Sequence, residues 1–324
     1  MTEGITFEEA LDLARLHGPP QIMALVEWAR SLRHEEGARV DLCSIVNARS
    51  GACSEDCAFC AQSAHHTTGV AKYPMMSPQE ILRHARAAEE AGAHHFCIVT
   101  AGKALSEPDF ETVLEAVRLI KEETDLQRCA SLGLLTPGRA RALREAGLDR
   151  FNHNLETSRS HFPSIVTTHS YDDRVATVMA LKEADIEACA GCILNVGETD
   201  RQRVELAFEL KALQPHSVPI NFLNPRPGTR LDHLKPMDSW EALKWLAIFR
   251  LVMPDTIIRL AGGRVENLGE LQECGFDAGV NGLLIGNYLT TVGPSPEEDL
   301  ALLQRLGLDT SRPGRSSALH VQVP

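Results

Sequence analysis

With 324 residues and 44% hydrophobic content, the chain can bury a sizeable core as one large α/β domain or two ordinary ones. A formal charge of -12 argues against nucleic acid as a main partner, because phosphate contacts need clustered Lys and Arg and none are clustered here. No uncharged apolar run approaches the roughly 18 residues of a membrane span. The start, with Glu3, Glu8, Glu9 and Asp12, lacks the basic-then-apolar plan of a signal peptide. A cytoplasmic protein with no membrane partner is expected, in which nine cysteines read as free thiols or metal ligands.

Thr6 to Leu16 and Ile22 to Leu32 read as amphipathic helices, separated by the breaker Gly18-Pro19-Pro20, and give a helical cap over residues 1–39. The first strand-like run is Val40 to Asn47. Beyond the loop that follows, Ser77-Pro78 opens a helix that stops near Gly92, with Ser as N-cap and Pro in the first turn.

From there strands and helices alternate. Strands are predicted at His95 to Ala101, Arg128 to Leu134, Arg150 to Glu156, Ile186 to Asn195, Ser217 to Asn224, Thr256 to Ala261 and Gly279 to Ile285. Helices are predicted at Pro108 to Glu123, Pro137 to Ala146, Tyr171 to Ala184, Arg201 to Leu213, Ser239 to Val252, Val265 to Glu273 and Glu297 to Leu306. Eight strands, each followed by a helix, point to a (β/α)8 TIM-type barrel over 40–310, with a disordered tail over 311–324. A doubly wound open sheet is the alternative, but the Gly-rich first turn it favours is missing.

The loop after the first strand reads Gly51-Ala52-Cys53-Ser54-Glu55-Asp56-Cys57-Ala58-Phe59-Cys60-Ala61-Gln62-Ser63. Thiols at i, i+4 and i+7 can hold three irons of a cubane [4Fe-4S] cluster and leave the fourth open for chemistry. A zinc site would want a fourth Cys or His at short spacing, and disulfides cannot satisfy an odd triplet. Carboxyl ends of barrel strands carry catalytic groups, and this loop follows strand one.

On the fourth strand, alternation puts Asn152, Asn154 and Glu156 on one face, and three polar groups there point to a polar ligand in the barrel mouth. His153 falls on the other face and reads as a hydrogen-bonded outer histidine. Cys97, Cys129 and Cys189 could each be small buried hydrophobes. Arg259, within Ile257-Ile258-Arg259-Leu260, should not face a core without an anionic partner. Cys43 and Cys274 read as structural.

The cysteine loop, with Phe59 before its last thiol, resembles the signature of the radical S-adenosylmethionine enzymes. The likeness narrows to the biotin synthase family. It is carried by that loop, Phe96-Cys97, Phe151-Asn152-His153-Asn154-Leu155, Val218-Pro219-Ile220-Asn221 and Ile258-Arg259-Leu260-Ala261-Gly262-Gly263-Arg264, in matching order over about residues 40–307.

The resemblance implies sulfur insertion into dethiobiotin, driven by a 5'-deoxyadenosyl radical that is made from S-adenosylmethionine at the cluster of Cys53, Cys57 and Cys60. It further implies a second cluster, of the [2Fe-2S] type, on Cys97, Cys129, Cys189 and Arg259. A four-iron cluster that recruits Cys192 stays open, although residues three apart on a strand face opposite ways. Phe59, Thr100, Ala101, Asn154 and Glu156 match cofactor positions, and Asn152, Asn154 and Asn221 match positions that hold the substrate's ureido ring. The family likeness also suggests a flavodoxin- or ferredoxin-type electron donor and a homodimer.

Two stretches depart from the family pattern, Gly191-Cys192-Ile193-Leu194-Asn195-Val196-Gly197-Glu198 and Thr100-Ala101-Gly102-Lys103. The rival readings are a lipoyl synthase-like or hydrogenase-maturase-like enzyme on the same barrel, and an iron-sulfur carrier. Lipoyl synthases carry a further N-terminal cysteine triplet, and residues 1–42 contain no cysteine.

Overall fold

A computed structural model describes residues 4–32 and 39–312. The expected disorder of the 311–324 tail therefore falls, from residue 313 on, outside the described residues.

Parallel strands alternate with helices along the chain. The strands are β1 (Asp41–Arg49), β2 (His95–Thr100), β3 (Gln127–Ser131), β4 (Arg150–Asn152), β5 (Glu187–Cys189), β6 (Cys192–Leu194), β7 (Ser217–Phe222), β8 (Ile257–Leu260) and β9 (Gly282–Leu284). They pair in the order β5-β4-β3-β2-β1-β9-β8-β7-β6, and the additional pairing of β5 with β7 closes the ring. β5 and β6 are two pieces of one barrel strand, so the nine segments make the eight strands of a (β/α)8 barrel.

The break falls at Gly191, whose backbone packs so closely on Pro219 that a Cβ would come within 1.9 Å of its carbonyl oxygen. Only glycine fits that approach. The sequence had read one continuous strand from Ile186 to Asn195, because a close approach between neighbouring backbones leaves no periodicity. Likewise the fourth strand ends at Asn152 instead of Glu156.

The crossover helices are α3 (Pro78–Glu90), α4 (Glu107–Glu123), α5 (Pro137–Ala146), α7 (Tyr171–Glu183), α8 (Asp200–Leu213), α9 (Ser239–Val252) and α12 (Pro296–Arg305), with α6 (Phe162–Ile165), α10 (Arg264–Leu268) and α11 (Gln272–Asp277) as short pieces. Side chains fix where they start. Ser77 caps α3 in a capping box with Glu80, and Thr199 and Ser295 do the same for α8 and α12.

The N-terminal helices α1 (Phe7–Ala14) and α2 (Pro19–Ser31) pack on α8, α9 and α11. Pro19 and Pro20 stand in the first turn of α2 and do not separate the helices, since Pro needs no N–H there. This cover explains why α9 is buried from Ala242 to Val252. Its one buried ammonium, Lys244, is satisfied by Glu241 Oε2 at 2.8 Å and by the carbonyl of Ala14 at 2.7 Å.

Candidate active site

Alternation along the strands assigns the barrel interior. Followed once round the ring, the pairing register returns displaced by eight residues, the shear of this fold. Inward residues therefore fall in layers contributed by alternate strands. Cys43, Cys129, Cys189 and Arg259 form one layer, and Cys97, Asn152, Pro219 and Leu284 form the next toward the carboxyl ends. Val99, Asn154 and Asn221 lie two levels higher. All of them border one cavity of about 430 Å³. With a rise of roughly 3.3 Å per residue and a tilt of about 36°, Asn154 and Asn221 stand about 8 Å above the thiol layer.

At the mouth, Cys53, Cys57, Phe59 and Cys60 border the same cavity. Their loop is tied down at several points. Gln62 Oε1 accepts from Ser50 Oγ and from the Gly51 N–H, both at 3.1 Å, and the Ala58 N–H bonds Ile165 O at 2.8 Å. Asp56 accepts from the Thr167 N–H at 2.9 Å, while Glu55 takes the Thr168 hydroxyl at 2.8 Å and contacts His169 Nδ1.

Burial raises Cys57 and pushes Cys60 up to about 11, so without iron these thiols keep their protons. A bound iron cluster displaces those protons and holds the thiolates. Among the described residues no three His, Cys, Asp or Glu side chains converge tightly enough for a single metal ion.

The amides above the thiol layer differ in what they already bind. Asn221 accepts from the Gly262 N–H at 2.9 Å and donates to Cys192 O at 3.0 Å, so it braces the wall. Asn154 Oδ1 accepts from the Gly191 N–H at 3.1 Å. Asn152 Oδ1 and Thr100 Oγ1 are buried and have no hydrogen-bond partner among the described residues. Such orphaned atoms on a cavity wall want a polar ligand. Ala101 also borders the cavity. Glu156 adopts φ +69 and lies 3.4 Å from Arg174 Nη1, and burial raises its pKa.

Arg259 does find an anion. Its Nη2 lies 2.7 Å from Asp41 Oδ2, and its Nη1 donates to Asp41 O at 2.9 Å. Arg150 Nη1 reaches the same carboxylate at 3.3 Å, and His95 Nε2 lies 2.5 Å from Oδ1. Burial alone would raise Asp41, but Arg259 and His95 beside it hold it well below the usual carboxylate range.

Cys43, read from the sequence as structural, borders the cavity in the layer of Cys129, Cys189 and Arg259. One expectation fails: His153, read as a hydrogen-bonded outer-face histidine, packs beside Phe151 but also borders the cavity, and among the described residues its buried Nε2 finds no hydrogen-bond partner. The anionic partner expected for Arg259 is there, and it is Asp41 of the protein itself. Sequence reasoning also missed Arg150, Lys103, His169 and Arg174 on the cavity wall. An Asp and a Cys at alternate positions of the first strand were the available signal for Asp41 and Cys43. Cys192 is fully buried but does not border the cavity.

The family model of the Radical SAM superfamily matches residues 48–210, and that of the Biotin and Thiamin Synthesis associated domain matches 219–309. "Biotin synthase" of Picosynechococcus sp. is 49% identical over 97% of this chain and 88% of its own length. "Biotin synthase" of Pelotomaculum thermopropionicum is 51% identical over 94% of this chain and 95% of its own length. Among solved structures, a methylornithine synthase superposes with a TM-score of 0.80 at 22% identity, covering 96% of this chain and 95% of its own. The [FeFe]-hydrogenase maturase HydG gives 0.80 at 17% identity, covering 94% of this chain and 72% of its own. These two likenesses speak to the fold alone.

Proposed function

The chain belongs to the biotin synthase family, and on that premise we propose that it acts as a sulfurtransferase converting dethiobiotin to biotin through a 5'-deoxyadenosyl radical. When bound, the [4Fe-4S] cluster with S-adenosylmethionine supplies a radical able to take hydrogen from an unactivated carbon, and a second iron-sulfur cluster supplies sulfur. The observation that carries this reading is a single cavity with one thiol triplet at its mouth, a second deep in the barrel, and carboxamides between them.

In this reading Cys53, Cys57 and Cys60 hold the first cluster. Phe59, Thr100, Ala101, Asn154 and Glu156 line the cofactor. Cys97, Cys129 and Cys189 hold the second cluster, with Arg259 against it. Asn152, Asn154 and Asn221 orient the ureido ring, whose N–H and C=O groups complement carboxamides. Ile45, Val99 and Leu284 line the same cavity and keep water from the substrate carbons.

Among the described residues no helix is long and apolar enough to cross a membrane. A cytoplasmic homodimer reduced by a flavodoxin- or ferredoxin-type protein completes the reading, supported by the family likeness and by nine cysteines left free of disulfides.

The test is anaerobic incubation of the iron- and sulfide-reconstituted chain with dithionite, S-adenosylmethionine and dethiobiotin, with 5'-deoxyadenosine and biotin measured together. Labelled sulfide introduced with the second cluster should appear in biotin after one turnover. Cofactor cleavage without biotin, from protein holding both clusters, would refute the sulfur-insertion reading.

A further inference from the structure

The deep thiol site contains one cysteine more than the family ligand set uses. Cys43 on β1 shares its interior layer with Cys129 of β3, Cys189 of β5 and Arg259 of β8, and Cys97 of β2 lies one level above. Cys97 and Cys129 are direct partners across β2 and β3, and all four thiols border the same cavity. None is in a disulfide. Among the described residues the one hydrogen-bond contact of Cys43 Sγ is with Ser44 O at 3.7 Å, a weak one for a thiol.

Arg259, by contrast, is already committed. Both its terminal nitrogens are engaged by Asp41 and Nη1 also approaches Leu283 O at 3.4 Å. To bind iron through nitrogen, a guanidinium must lose or share a proton. A buried carboxylate 2.7 Å away favours the protonated form instead. Arg150 adds a second positive charge beside the same carboxylate.

We propose that Cys43 is the fourth thiolate of the second cluster, so that a [2Fe-2S] unit is held by Cys43, Cys97, Cys129 and Cys189 while Arg259 stays paired with Asp41 beside it. The Cys43 thiol proton leaves to solvent as the iron-sulfur bond forms. Arg259 then offers its N–H groups to cluster or ligand sulfur, and its geometry is set by Asp41. Resting on the reading above that a second cluster occupies this site, the inference changes who ligates it. Cys192, off the cavity wall, takes no part.

The test uses the full chain carrying Cys53→Ala, Cys57→Ala and Cys60→Ala, so that only the deep site loads, reconstituted anaerobically with iron-57 and sulfide. Iron and sulfide should be present at about two each per chain, and the Mössbauer spectrum should show both irons in all-sulfur tetrahedral sites. Adding Cys43→Ser should convert one iron to a site with an oxygen ligand, or remove the cluster, whereas adding Arg259→Lys should leave the spectrum unchanged. An unchanged spectrum with Cys43→Ser, together with a changed one for Arg259→Lys, would overturn the assignment. Should Cys97→Ala, Cys129→Ala and Cys189→Ala also leave iron and sulfide at the parent level, the second-cluster reading itself falls. Circular dichroism of each variant separates lost ligation from lost folding.

Discussion

Replacing Asn152 by Ala deletes a carboxamide oxygen that is buried on the cavity wall and bonded to nothing in the protein. The fold therefore loses no hydrogen bond at that oxygen, while a bound ureido group loses its acceptor. Leaving such a buried donor unpaired costs about 1–3 kcal/mol, which corresponds to roughly 5-fold to 150-fold weaker dethiobiotin binding. Asn221→Ala provides the contrast. Its carboxamide already joins the Gly262 N–H to Cys192 O, so its removal should weaken binding and also lower folding stability by about 1–3 kcal/mol. The assay is equilibrium dialysis of labelled dethiobiotin against the anaerobic, S-adenosylmethionine-loaded protein, paired with denaturant unfolding of each variant. Unchanged affinity in Asn152→Ala, or a stability loss equal to that of Asn221→Ala, would refute the reasoning.

Each of Cys53→Ala, Cys57→Ala and Cys60→Ala should abolish 5'-deoxyadenosine formation under dithionite, since two thiolates leave two irons of a cubane unprotected; normal cleavage in any one variant would contradict the assignment. Asp41→Asn should cost about 3–5 kcal/mol in denaturant unfolding at pH 7, because it strands the buried guanidinium of Arg259, while Arg150 keeps Glu187 at 2.9 Å, and a loss under about 1 kcal/mol, the scale of an exposed ion pair, would show that the cluster is solvated. Acid should weaken the fold well above the carboxylate range. Burial and the neighbouring Arg150 push His95 down to about 4, whereas an unfolded imidazole titrates near 6.5. The contribution of neutral His95 is thus complete above about pH 6.5 and lost as pH falls toward 4, at up to ~1.4 kcal/mol per pH unit. Burial drives His153 in the same direction. Melting scans between pH 7 and 5 should show this slope, and His95→Gln should flatten it; a flat wild-type curve would contradict neutral buried histidines.

Much of the architecture was legible in the chain because it is written locally. Strand and helix periods differ, Ser77-Pro78 announces a helix start, and eight alternations admit few closures. The thiol triplet at 53, 57 and 60 was legible for the same reason, since all three ligands come from one short loop. What the sequence could not display is level within the barrel. Whether Cys43 stands with Cys129, Cys189 and Arg259 depends on the shear accumulated around eight strands, and no stretch of chain contains that quantity. A cysteine on strand one and an arginine on strand seven, 216 residues apart in the chain, become neighbours only through ring closure. The break at Gly191 and the capture of Arg259 by Asp41 are likewise contacts between distant segments. Local pattern determined which residues face inward, and only the closed register decided which of them meet.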